Sequence, residues 1–318
     1  MTHPEGRHRF QTFWYGGQLT PYEQLCFLSF LDHGHVVELY SYDLDVVVPE
    51  GVVVRDAAEV LPADSVFVYE HDGFGKGSVS AFSNLFRYKL LRDRGGWWID
   101  TDVVCLTSDI DDRGGEYYAK QDDELAAPGT MCFPAGSEVP TRCFEHVLAL
   151  GTGVKWGDGG PRAFTDVLRT TGRLHSAAPA SECYPLHFSE AVDLLRPSRV
   201  DELHSRLSSA MFLHLWNSTL VNAGVDKHVL PPKGSLLRQV ADRHPVPGWK
   251  SEYDEHRFDR DVAHAEQVAQ LRWEVAATRA ELHAKQLEID TMINSKSWRI
   301  TRPLRRLLEA KNRRRRNG

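Results

Sequence analysis

Cysteine is scarce and scattered in this 318-residue chain: Cys26, Cys105, Cys132, Cys143 and Cys183 form an odd set with no C-x-x-C pair. Such spacing signals neither a disulfide framework nor a zinc knuckle, so the thiols read as buried or idle. Long apolar runs are also lacking. The segment VVVPEGVVV at 46–54 is broken by Pro49, Glu50 and Gly51, well short of the roughly 18–20 residues of a membrane span. The opening MTHPEGRHRF has no apolar centre followed by a cleavage site, which argues against a secretory leader and for a cytoplasmic protein. No internal repeat is found, and the only low-complexity stretch is the terminal arginine run.

What is present suffices for a large core, since 42% of residues are hydrophobic. The net charge of -6 hides an asymmetry. From Ser295 onward Lys296, Arg299, Arg302, Arg305, Arg306, Lys311 and Arg313 to Arg316 face only Glu309, so an acidic body carries a basic tail. RFQTFWYGG (9–17) reads as a buried first strand running into a turn. Thr20 as N-cap and Pro21 at the first position then begin a helix that Gly34 closes. VVELYSYD (36–43) reads as a second strand and SVFVYE (65–70) as a third, which makes a βαβ unit and implies a parallel sheet. The helix predicted over 78–96 places Phe82, Leu85, Phe86 and Leu90 on one face and Ser83 with Arg87 on another, with Gly95 at its end. Further helices are predicted near 138–150, 161–171, 201–208 and 235–243.

After that helix comes GGWWIDTDVVCL (95–106). In an extended chain Asp100 and Asp102 point the same way, beyond a strand end where open α/β sheets bind ligands. Two carboxylates so close repel unless a cation lies between them, and a divalent ion with oxygen ligands answers that need. Trp97 and Trp98 point to opposite faces and read mainly as core.

The stretch FSNLFRYKLLRDRGGWWIDTDVV resembles the D-x-D sugar transferases of bacterial capsule and surface-polysaccharide synthesis, matching at Ser83, Arg87, Gly95, Gly96, Asp100 and Asp102. Asn84 stands where many members have Asp. The resemblance runs from about residue 9 to 240 and implies a GT-A-like fold, a mainly parallel nucleotide-binding sheet flanked by helices. It further implies that Asp100 and Asp102 hold Mn²⁺ or Mg²⁺ against the diphosphate of a nucleotide sugar, UDP-linked by expectation. Ser83, Asn84, Arg87 and Thr101 would then line the donor pocket, with Phe13 and Trp14 over the base, although core packing is an equal reading for those aromatics. A glycan or lipid-linked acceptor and retention of configuration are implied in the same way. Asp158, in KWGDGGPRAF (155–164), is the candidate acceptor-side group, with a helix-capping role as its alternative. His214 and Asn217, in FLHLWNST, would complete the metal site and would share a face if helical. His71 and Asp72 belong to a glycine-rich loop that reads as a lid or a plain connection.

The expected organisation is a transferase domain over 1–244, a linker over 245–258, a coiled-coil-like helix over 259–294 and a basic amphipathic tail over 295–318. Val268, Val275, Leu282 and Ile289 recur every seven residues, a seam for a homodimer through 262–294. The tail suits peripheral contact with the inner face of an anionic membrane, and the acidic body gives nucleic acid no companion surface. An inactive transferase-like scaffold and a D-x-D phosphatase are the competing readings.

Overall fold

The computed structural model describes residues 8–70 and 75–305; the readings on His71, Asp72 and the tail beyond 305 lie outside the described residues. The chain divides into two compact units, Met1–Asp261 and Val262–Gly318. In the first, strands β1 (Arg9–Trp14), β2 (Val36–Ser41), β3 (Val53–Asp56), β4 (Gly96–Ile99), β6 (Tyr117–Lys120) and β7 (Ala126–Phe133) form one sheet in the order β3-β2-β1-β4-β7-β6. The pairings from β3 through β4 are parallel and those of β7 are antiparallel. The fold is therefore mixed α/β with a mostly parallel six-stranded sheet flanked by helices, followed by a long helix.

Helix α1 (Pro21–Asp32) starts where Thr20 caps it: Glu23, three residues on, reaches back to accept from the Thr20 backbone N–H at 3.0 Å. Its Phe27 and Phe30 cover one sheet face with Phe10, Val37, Leu39, Trp97 and Ile99. On the other face lie Phe13, Tyr40, Trp98 and Met131, covered by Phe82, Phe86 and Leu90 of α2 (Ser80–Arg94), Phe144 of α3 (Glu138–Leu150) and Phe164 of α4 (Pro161–Thr170). Both tryptophans are core residues on opposite faces, as their alternation predicts. Each large ring so buried contributes roughly 1.5–3 kcal/mol. The α2–β4 handover needs glycine, because Gly95 has φ +67 and an added Cβ would lie 2.4 Å from the Ala135 nitrogen.

The third strand is not 65–70, as expected, but β3. The segment Val53 to Asp56, entered through the β-branched Val52, Val53 and Val54, pairs with β2, whereas Tyr69 folds back to exchange backbone hydrogen bonds with Gly77 and Ser78.

Short elements complete the first unit. Strand β5 (Val103–Cys105) pairs antiparallel with β8 (Phe212–His214). Helices α5 (Ala180–Cys183) and α6 (Val200–Leu207) precede β8, and α7 (Asn217–Asn222), β9 (Val229–Leu230), α8 (Leu236–Arg243) and β10 (Ser251–Glu252) follow it. The segment 245–258, expected as a linker, contains β10 paired to β9 and the buried Val246, Tyr253 and Phe258. Apolar residues there have a core to enter, which the many charges of the segment obscure in sequence. Helix α9 (Glu255–Asn294) then runs on, and in the second unit it leads to α10 (Lys296–Ile300). No described helix is long and apolar enough to cross a membrane.

Candidate functional site

The carboxyl ends of the parallel strands β1 and β4 open on the same side, and a cavity of about 820 Å³ lies there. Phe13, Trp14, Ser83, Asn84, Arg87, Asp100, Thr101, Asp102, His214 and Asn217 all line it, so residues from four distant parts of the chain meet. A second cleft of about 990 Å³ sits at the opposite strand ends, around Glu38, Arg94 and Gly95, away from this set.

Asp100 follows the last residue of β4, and its backbone N–H donates to the Gly129 carbonyl of β7 at 2.7 Å. Asp100 and Asp102 are joined by a turn rather than by extended chain, so alternation is not what aligns them. The β5–β8 pairing sets His214 opposite Val103, next to Asp102. One ligand-type atom each from Asp100, Asp102 and His214 lies within 4.8 Å of the others. His214 and Asn217 are not on one helix: His214 ends β8, Asn217 begins α7, and Trp216 between them takes a left-handed conformation with φ 58 and ψ 50. That reversal turns both side chains into the cavity.

Each acid has its own holder. Arg87 Nη1 lies 2.9 Å from Asp100 Oδ1 and also donates to the Pro128 carbonyl at 2.7 Å. Trp98 Nε1 donates to the same Oδ1 at 3.0 Å. Burial resists ionisation of Asp100, yet Arg87, His214 and Trp98 together outweigh it and hold the carboxyl below its ordinary range. Asp102 Oδ2 accepts from the Asn217 backbone N–H at 2.8 Å. His214 Nε2 stands 3.5 Å from Asp102 Oδ1 and 3.8 Å from Asp100 Oδ2. Burial opposes its protonation, but Asp102 and Asp100 prevail and raise its pKa.

Several observations fit a small divalent cation. The buried Asn217 Oδ1 has no hydrogen-bond partner, an oxygen at the edge of the acid pair. Gly129 leaves the floor open: a Cβ there would come within 3.0–3.2 Å of Tyr184 Oη, Asp100 Oδ2 and His214 Nε2. Hard carboxylate and amide oxygens suit Mg²⁺ or Mn²⁺. His214 fits with a condition, because its Nδ1 accepts from the Trp216 N–H at 3.1 Å and the neutral ring therefore carries its proton on Nε2. Ligation through Nε2 requires the ring to shift that proton and give up the Trp216 bond.

Other expected residues are placed differently. Phe13 is mainly core, stacked on Phe86 with centroids 4.3 Å apart, while Trp14 and the exposed Tyr15 form the cavity wall beyond it. Arg87 Nη2 meets Ser83 Oγ at 3.4 Å, the shared helix face that their spacing predicts. Asn84 is buried under the backbone of Gly159 and Gly160. Asp158, expected on the acceptor side, is not among the lining residues: its Oδ2 accepts from the Lys155 N–H at 3.3 Å, so it closes its own turn.

Sequence reasoning missed Glu23, Gly129, Tyr184 and Lys227, all of which line the cavity. Glu23 was legible only as the acid of a T-x-x-E capping pair, and nothing local marks the other three.

No protein-family model and no curated protein matches the chain. Among solved structures, it is similar to the PaToxG glycosyltransferase at 10% identity and TM-score 0.39, over 52% of this chain and 69% of that one. It is also similar to the glycosyltransferase GlyE of Streptococcus pneumoniae TIGR4 at 12% identity and TM-score 0.36, over 76% of this chain and 65% of that one.

Proposed function

We propose that the chain is a metal-dependent glycosyltransferase that moves a sugar from a UDP-linked donor to a cell-surface polysaccharide or glycoconjugate acceptor. The observation that carries the reading is the meeting of Asp100, Asp102 and His214 within 4.8 Å at the carboxyl end of the sheet, in a cavity sized for a nucleotide sugar. Asp100, Asp102 and Asn217 Oδ1 would hold Mn²⁺ or Mg²⁺, with His214 joining in its other tautomer. When bound, such an ion neutralises charge that develops on a leaving nucleoside diphosphate.

The protein's own groups do the positioning. Arg87 fixes Asp100, and the Asn217 N–H fixes Asp102, so the acid pair is set before any ligand arrives. Ser83 and Asn84 offer hydroxyl and amide to the donor sugar, and Trp14 with Tyr15 form an aromatic wall for a base. Among the described residues, the carboxylates lining the cavity are Asp100, Asp102 and Glu23, and each is already engaged. That favours leaving-group stabilisation with front-face attack by the acceptor over an enzyme nucleophile, and with it retention of configuration. The second unit is proposed to dimerise along its heptad seam, and the tail to rest on the inner face of an anionic membrane.

Calorimetric titration of UDP and GDP with and without Mn²⁺, repeated on Asp102→Ala, tests the reading. Metal-dependent binding of one nucleotide, lost in the variant, supports it. Absence of binding in every condition sinks it and returns the weight to an inactive scaffold or a phosphatase.

A further inference from the structure

Glu23 is a buried carboxylate that the acid pair itself does not touch. Its side chain is 1% exposed, yet it serves three parts of the chain. Oε2 accepts from the Thr20 backbone N–H and hydroxyl, and Oε1 accepts from Asn217 Nδ2 at 2.8 Å and from Lys227 Nζ. All four lone-pair directions of the carboxylate are thereby used. The same Asn217 donates its backbone N–H to Asp102 at 2.8 Å. Lys227 is thus tied through Glu23 and Asn217 to one of the two acids, although it lies 125 residues after Asp102 in sequence.

The helix cap uses only Glu23 Oε2, at Thr20, which leaves Oε1 for Asn217 and Lys227. A carboxylate this deeply buried is tolerated because it is paired and hydrogen-bonded, so Lys227 is held at a fixed place. Lys227 lines the cavity with its side chain 15% exposed, and an ammonium has three protons, of which Glu23 takes one. Among the described lining residues the fixed charges are Asp100, Asp102 and Glu23 against Arg87 and Lys227. Arg87 is occupied by Asp100 and the Pro128 carbonyl, which leaves Lys227 as the cation with donors to spare.

We propose that Lys227 is an anion-binding residue of this cavity, directed at diphosphate oxygens, and that Glu23 is the positioning residue that holds its ammonium at the wall. The proposal rests on the donor reading above and names a ligand group that the reading does not include. Glu23 fixes where the positive charge sits, and Asn217 shares that anchor, so the cation and the acid pair keep a constant spacing. A diphosphate placed between them meets a divalent ion on one side and a rigid ammonium on the other.

Binding of pyrophosphate with Mg²⁺, and separately of UDP and GDP with Mg²⁺, to the full chain tests this by calorimetry. Lys227→Met alone would strand the buried Glu23 charge, so the informative variant is the double Glu23→Gln, Lys227→Met, in which neutral side chains of similar shape replace both partners. Its melting temperature should match the parent, while affinity for pyrophosphate falls roughly tenfold or more. Lys227→Arg should recover part of the lost affinity. Parental affinity in the double variant, or no recovery with arginine, overturns the proposal. Pyrophosphate binding that the double variant weakens, with neither nucleotide bound by the parent, would defeat the nucleotide-sugar reading and leave the anion site standing. A parent that binds none of the three probes defeats both.

Discussion

Gly129 has no side chain, and the acid pair depends on that. A methyl at this position would press on Asp100 Oδ2, Tyr184 Oη and His214 Nε2 together at 3.0–3.2 Å. Gly129→Ala is expected to lower metal-dependent nucleotide affinity by about tenfold or more while melting shifts little, since the flexible ends of three side chains can yield. Titration calorimetry beside a thermal melt checks it, and unchanged affinity would contradict the crowded floor. Glu190, two residues after the lining Phe188, gives a pH signature. Arg206 pairs with it through two bonds of 2.7 and 2.9 Å, and this pairing, against a smaller effect of burial, lowers its pKa to about 2. A depressed folded-state pKa contributes stability that is present above the unfolded value near 4.5 and lost as pH falls toward 2. The pair is partly exposed, so the contribution is on the order of 1 kcal/mol. Glu190→Gln should flatten that part of the stability curve between pH 5 and about 2 in denaturant titrations.

The elements that deliver these residues differ in how openly the sequence announces them. Helix α2 and strand β4 are written in local terms: apolar spacing, a left-handed glycine, then alternating tryptophans. Gly95→Ala strikes that junction, where φ is +67 and the Ala135 nitrogen lies 2.4 Å from the added atom. A loss of about 1–3 kcal/mol from backbone strain alone is expected, seen as a lower denaturation midpoint. Strand β3 was misplaced because two short apolar runs, 52–54 and 65–70, compete for one edge position, and only pairing with β2 decides. The approach of β8 to β5 is equally silent in sequence, so the resemblance points to His214 and Asn217 but gives nothing of their geometry. Trp216 explains the difference: a left-handed tryptophan carries no local signal, and it splits a pair that three-residue spacing would put on one helix. Asp158 is ambiguous for the opposite reason, since a glycine-flanked acid before a helix looks the same in sequence whether it faces a ligand or, as here, accepts a bond within its own turn.

At the scale of the molecule, the second unit presents Leu271, Val275, Leu282, Ile289 and Met292 to solvent on α9. Exposed apolar positions at heptad spacing underlie the proposed dimer, and Glu274 with Arg279 stand five residues apart, as flanking partners across a parallel pair would. Light scattering on the full chain should give a dimer mass, and Leu282→Asp a monomer that still binds nucleotide; a monomeric parent would refute the seam. Thr278 and Lys285 on the inner positions would make that association weaker than an all-apolar seam.

The brace between Glu23 and Lys227 also sets a schedule. Its two ends are 204 residues apart, with Asn217 already 194 from Glu23. During synthesis the ribosome releases β1, α1, α2 and β4 long before Asn217 or Lys227 exists, so the early chain holds Glu23 with only Thr20 beside it. If Lys227 holds the diphosphate as proposed, the nascent chain is expected to bind its ligand only once residue 227 has emerged, while later ties such as His244 to Asp32 are still to form.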